Sequence, residues 1–199
     1  MAEGSHLLIV LTGIDGSGKS TAAHALVSEA RANGKNALLL NNHAGRRSMS
    51  VLGERLGVHW PHRLSDAVET TLRVANVLAS HLKASRFDGL VVMDRHLYCQ
   101  LALRTAKGLP RGRLLPWLLS RLPAPAAVVH FDVEPALAHR RILARGTDNE
   151  TLADLVALRD GYRSLPEYQY FLKLDAGRPT VVVVEALKHI VRAETAVPA

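Results

Sequence analysis

The sequence predicts an α/β fold, a central parallel five-stranded sheet covered by helices on both faces. Three observations carry this. Short runs rich in Val, Leu and Ile punctuate the chain, as strands buried on both faces do. Between them lie longer stretches whose apolar residues recur at helical spacing, as parallel crossovers require. Directly after the first run stands Gly13-Ile14-Asp15-Gly16-Ser17-Gly18-Lys19-Ser20, which satisfies G-x-x-x-x-G-K-[ST]. A strand before this loop and a helix after it make the P-loop NTPase arrangement.

The elements follow in order. HLLIVLT (6–12) is a buried strand. KSTAAHALVSEARANG (19–34) is a helix that stops at Gly34. KNALLLN (35–41) is a second strand. Residues 64–85 form a helix with Leu64, Ala67, Val68, Leu72, Ala75, Leu78, Ala79 and Leu82 on one stripe. GLVVMD (89–94) and AAVVHFDV (126–133) are strands. Further helices are expected at about 96–106, 113–121, 135–145 and 150–164. The tail admits two readings. TVVVVEAL has the β-branched content of a strand. If YQYFLKLDA is the strand instead, Thr180 caps a last helix of about 181–193.

Composition bounds the function. The 199 residues suffice for one domain with a full core, and 48% of them are apolar. A single domain over residues 1–199 is therefore expected. No uninterrupted apolar run reaches membrane-spanning length, and the N-terminus lacks a basic segment before its short apolar run. Cys99 is the one cysteine, so no internal disulfide forms. A cytoplasmic protein with no membrane partner is the expectation. The formal charge is +7, and 19 of the 25 basic residues are Arg. These arginines are spread along the helices, and aromatics make up only 5%. That is poor material for stacking bases, so no nucleic-acid partner is expected. Arg suits bidentate grips on small phosphates.

The loop carries the chemistry. Its glycines let the backbone N–H groups of Gly13 to Thr21 turn toward an anion, and the helix start adds positive potential. Lys19 is expected at the β- and γ-phosphates of ATP, and Ser20 on Mg²⁺. No base-reading N-K-x-D is present, which excludes a GTPase, and motor ATPases run longer. A small kinase remains. Asp15 inside the loop needs a partner other than phosphate, such as a sugar hydroxyl or a Mg²⁺-bound water.

With that loop, the chain resembles the thymidylate kinase family of P-loop nucleoside monophosphate kinases. The resemblance extends through VVMDRHLYCQLALRTAKGL (91–109), FDVEPALAHRRILARG (131–146), LRDGYRSL (158–165) and LDAGRPTVVVVEAL (174–187). It favours the C-terminal helix over a C-terminal strand. It implies ATP and Mg²⁺ as cofactors, a phosphorylated small-molecule acceptor and a homodimer. By the same resemblance Arg95 holds the acceptor's phosphate, Asp94 steers Mg²⁺ through water, and Asp15 meets the acceptor's sugar. Arg73 and Gln100 lie near the acceptor base. Arg141 and Arg145 close over the transferring group from a lid at about 141–152.

The chain departs from the family around the acceptor. Where the family has Arg-Glu-Pro-Gly-Gly-Thr, this chain has NNHAGRRSMS, in which Arg46 and Arg47 remain as candidate phosphate ligands. Where the family has a base-stacking Phe, Glu69 and Thr70 stand. The acceptor is thus expected to differ from thymidylate, unless Trp60 or Tyr98 restores the stacking face. Two alternatives stay open. One is a hydroxyl kinase on the same scaffold, with Asp15 or His43 as base. The other is a non-catalytic ATP-binding module.

Overall fold

The computed structural model describes residues 6–42, 62–146 and 150–196. The P-loop strand β1 (His6–Thr12) lies at the centre of a five-stranded sheet of order β2-β3-β1-β4-β5. Its companions are β2 (Ala37–Asn41), β3 (Gly89–Asp94), β4 (Ala127–Asp132) and β5 (Leu172–Asp175). Every pairing is parallel. Leu11 stands opposite Asp94 on one side and Val129 on the other.

Seven α-helices join the strands among the described residues: α1 (Lys19–Ala32), α2 (His62–Ala84), α3 (Leu97–Ala106), α4 (Leu114–Arg121), α5 (Pro135–Arg145), α6 (Leu152–Arg163) and α7 (Thr180–Ala196). A short 3₁₀ turn, Pro166–Tyr170, leads into β5. The tail is therefore strand then helix. Val183, Val184, Leu187 and Val191 are buried at helical spacing, while Val181 is 75% exposed. Burial of that stripe outweighs the β-propensity of the four valines.

Alternation along the strands divides the core. Ile9 and Leu11 belong to the large cluster that takes in Leu26 of α1 and Leu187 of α7. Leu8, Val10, Val91 and Met93 form a smaller one with Leu40 and Ala84 of α2. The chain leaves β1 toward β2 on one side and leaves β3 toward β4 on the other. The crevice of an α/β sheet opens where neighbouring strands diverge in this way, here above the C-terminal ends of β1 and β3.

Helix α2 is inverted relative to an ordinary amphipathic helix. Glu69, Arg73, Val77, Ser80, His81 and Ala84 are buried. The predicted apolar stripe at Ala67, Leu72, Ala75, Leu78, Ala79 and Leu82 faces outward. No helix among the described residues is long and apolar enough to cross a membrane.

Candidate active site

The glycine loop connects β1 to α1 and is pressed against the sheet from above. A Cβ on Gly13 (φ 135°) would lie 2.7 Å from the Phe131 carbonyl oxygen, and one on Gly16 (φ 77°) would lie 2.4 Å from that of Ala138. Only glycine fits at either place. Lys19, the first residue of α1, is buried. Its ammonium donates to the Ile14 carbonyl at 2.7 Å and to Ser17 Oγ at 3.1 Å. Burial lowers its pKa; the charges of Asp94 and Glu150 act upward, and that of Arg145 downward.

Ser20 and Asp94 meet beside the loop. Ser20 Oγ donates to Asp94 Oδ2 at 2.5 Å. Asp94 is buried at the end of β3, and its Oδ1 has no hydrogen-bond partner among the described residues. An orphaned carboxylate oxygen is costly in a dry site unless a ligand or cation satisfies it. A hydroxyl and a carboxylate are the oxygen donors that Mg²⁺ takes, so the pair fits that ion.

Arg95 follows at the top of β3. Among the described residues it is the one non-glycine with positive φ, 77°. Its guanidinium pairs with the Asp15 carboxylate of the glycine loop. Asp15 thus has a protein partner, and the expected tension with phosphates is relieved.

Arg73 and Gln100 lie in contact, and Glu69 joins them. Arg73 Nε donates to Gln100 Oε1 at 2.9 Å, and its Nη2 lies 3.3 Å from Glu69 Oε1. Lys107 reaches Glu69 Oε2 at 3.4 Å, and Gln100 Nε2 donates to Thr70 Oγ1 at 2.9 Å. Glu69 is therefore neutralised by two cations rather than presented as a bare acid. Arg73 Nη1 is buried without a hydrogen-bond partner among the described residues. Tyr98 packs edge-on to Phe171 and against His96, with ring centroids 5.0 and 5.1 Å away. Its ring is held there between Phe171 and His96.

The two lid arginines are placed differently. Arg141 donates from Nη1 to the Ala176 carbonyl at 2.9 Å, tying α5 to the turn before α7. Arg145 ends α5 within electrostatic reach of Lys19. Gly146 closes that helix, and α6 starts from a Thr151/Asp154 capping box. Residues 147–149 of the expected lid lie outside the described residues, as do His43, Arg46, Arg47 and Trp60.

Sequence reading missed Asn42, Ser80, His81 and His96, which are buried behind Arg95. A polar residue at a strand end reads as loop, and a Ser or His among helical residues reads as surface. The one available signal was Ser80-His81 interrupting an apolar run.

The glycine loop on the central strand of this sheet, with an Asp-Arg pair ending the neighbouring strand, defines the class of ATP-dependent nucleotide kinases. Comparison with known proteins narrows the class. The thymidylate kinase family matches residues 11–187, and the chain belongs to that family. A "Probable thymidylate kinase" of Staphylothermus marinus is 25% identical over 197 residues, which cover 96% of this chain and 97% of that protein. One from Pyrococcus horikoshii is 31% identical over 194 residues, covering 92% and 89%. One from Thermococcus gammatolerans is 30% identical over 198 residues, covering 92% and 90%.

Proposed function

We propose that this kinase moves the γ-phosphoryl group of ATP to the phosphate of a nucleoside or deoxynucleoside monophosphate other than thymidylate, with Mg²⁺. The observation that carries the reading is the Arg95–Asp15 pair. It puts a guanidinium beside the glycine loop, where a second anion can face the first.

In this reading the loop N–H groups of Gly13 to Thr21 and Lys19 hold the β- and γ-phosphates. Lys19 exchanges the Ile14 carbonyl for phosphate oxygens. Ser20 and Asp94 hold Mg²⁺, which when bound neutralises charge on those oxygens. The acceptor phosphate displaces Asp15 from Arg95, and the freed carboxylate takes a sugar hydroxyl. An acceptor phosphate oxygen then attacks the γ-phosphorus, the bond to the β–γ bridging oxygen breaks, and ADP leaves. No general base is needed, because the nucleophile is already anionic near neutral pH. Positioning and charge neutralisation supply the rate. Arg145 adds positive charge on the Lys19 side. Arg141, anchored on the Ala176 carbonyl, closes over the transferring group with Arg145.

Arg73 and Gln100 read the acceptor base through polar contacts. The orphaned Arg73 Nη1 supplies a donor. A buried ionic network stands where an aromatic face would be, which favours bases recognised by hydrogen bonds. Asp15, engaged by Arg95, is poorly placed as the base a hydroxyl kinase needs. The outward apolar stripe of α2 supports a homodimer formed through that helix. Residues 1–199 act as a single kinase domain, in the cytoplasm where ATP is supplied.

A coupled assay of ADP release tests the reading, with ATP and a panel of monophosphates beside their nucleosides. Turnover with monophosphates is expected. Release with nucleosides alone would support a hydroxyl kinase, and release with none would support a binding module.

A further inference from the structure

We infer that Asn42 is a positioning residue for Arg95, oriented by Ser80 of α2; this rests on the reading of Arg95 as the acceptor-phosphate ligand. Arg95 adopts a left-handed backbone that a side-chain-bearing residue rarely takes, so something must hold it there. Its own N–H donates to the Leu11 carbonyl of β1 at 3.1 Å. The two carbonyls flanking it go to one residue. Asn42 N–H donates to the Asp94 carbonyl at 3.0 Å, and Asn42 Nδ2 donates to the Arg95 carbonyl at 2.7 Å. The backbone on both sides of the arginine is thereby fixed between β1 and the end of β2.

The amide of Asn42 serves only if it points the right way. Ser80 Oγ donates to Asn42 Oδ1 at 2.7 Å, which leaves Nδ2 aimed at Arg95. The neighbouring His81 meets His96, the residue after Arg95, with the two Nε2 atoms 3.0 Å apart. Burial keeps both rings toward the neutral form, so one donates and the other accepts. Consecutive residues of α2 therefore hold the consecutive pair Arg95-His96. Asn42 touches no reacting atom in this account. It acts by presenting Arg95 at the angle that an incoming phosphate meets.

Steady-state kinetics of Asn42→Ala, Ser80→Ala and Arg95→Ala, with the double variant Asn42→Ala/Arg95→Ala, test this in the full chain with ATP and, as acceptor, the nucleoside monophosphate that wild type turns over best in the panel. Asn42→Ala is expected to raise the acceptor KM about tenfold and to lower kcat, with the KM for ATP within about twofold of wild type. Ser80→Ala, which removes only the hydroxyl that orients the amide, shifts the same parameters in the same direction. In the Arg95→Ala background Asn42→Ala adds less than about twofold, because residues acting through one group are not additive. Multiplying losses in the double variant overturn the inference. So does normal acceptor KM in both Asn42→Ala and Ser80→Ala when Arg95→Ala is defective, and so does a parallel loss of ATP affinity and melting temperature in both. An unchanged acceptor KM in Arg95→Ala overturns the reading of Arg95 itself.

Discussion

Ser20 Oγ and Asp94 Oδ2 stand 2.5 Å apart, joining the first turn of α1 to the last residue of β3. The contact ties the helix after the glycine loop to the strand beside β1, at the mouth of the crevice. It leaves one buried Asp94 carboxylate oxygen with no hydrogen-bond partner among the described residues. Asp94→Asn is expected to raise the Mg²⁺ concentration needed for half-maximal activity at least about tenfold, in line with metal-shell substitutions elsewhere. Titrating Mg²⁺ at saturating ATP measures it. An unshifted midpoint would remove Asp94 from the metal site.

Lys19→Ala should abolish phosphoryl transfer and leave the fold intact. Among the described residues the ammonium bonds only to atoms of its own loop, Ile14 O and Ser17 Oγ. Activity with a circular dichroism melt checks both halves. Normal turnover in the folded variant would rule out the phosphate-loop assignment.

Arg95→Ala should raise the acceptor KM and lower kcat, with kcat/KM down about 100-fold and ATP affinity little changed. A charge-assisted contact to phosphate is worth that much when it is lost. An unchanged acceptor KM would leave Arg95 as a partner of Asp15 alone.

Two buried histidines set an acid limit on stability. Burial, with His81 beside it, lowers the pKa of His96 to about 3, and burial lowers that of His130 to about 4. Both are near 6.5 in the unfolded chain. The unfolded state therefore binds more protons below pH 6.5. The stability is present above that pH and falls as pH drops toward the folded values. Between pH 7 and pH 5 each histidine is expected to remove about 2 kcal/mol. Urea unfolding at the two pH values measures the sum, and His96→Gln should lessen the dependence. A stability that rises on acidification would contradict the sign.

Thymidylate should be at least about tenfold poorer in kcat/KM than the preferred monophosphate, a difference of about 1.4 kcal/mol. Glu69, paired with Arg73 and Lys107, occupies the place of the expected aromatic, and Tyr98 is engaged with Phe171. Measuring thymidylate beside the other monophosphates decides it. A thymidylate value above every other acceptor would overturn it.

Strands β1, β2 and β3 were legible in the sequence because Leu7 to Leu11, Ala37 to Leu40 and Leu90 to Met93 are unbroken apolar runs, whereas β5 carries Lys173 between its leucines; the glycine loop was legible because its spacing dictates one backbone shape. Four valines in α7 pointed both ways, since propensity and helical burial disagreed there. The loop side of the site, from Gly13 to Ser20, was readable from local pattern. Asn42 was not, because its role depends on β2 ending beside β3, which no local signal encodes. The pairing of Glu69 with Lys107 was not legible either, because Lys107 lies 38 residues further along the chain.

The central claim is that the acceptor enters by its phosphate. It is tested most directly by comparing kcat/KM for one nucleoside with and without its 5′-phosphate, using the panel's best acceptor. A preference for the monophosphate on the order of 10²-fold is expected, from a charge-assisted grip at Arg95. Equal or better turnover of the unphosphorylated nucleoside would contradict it.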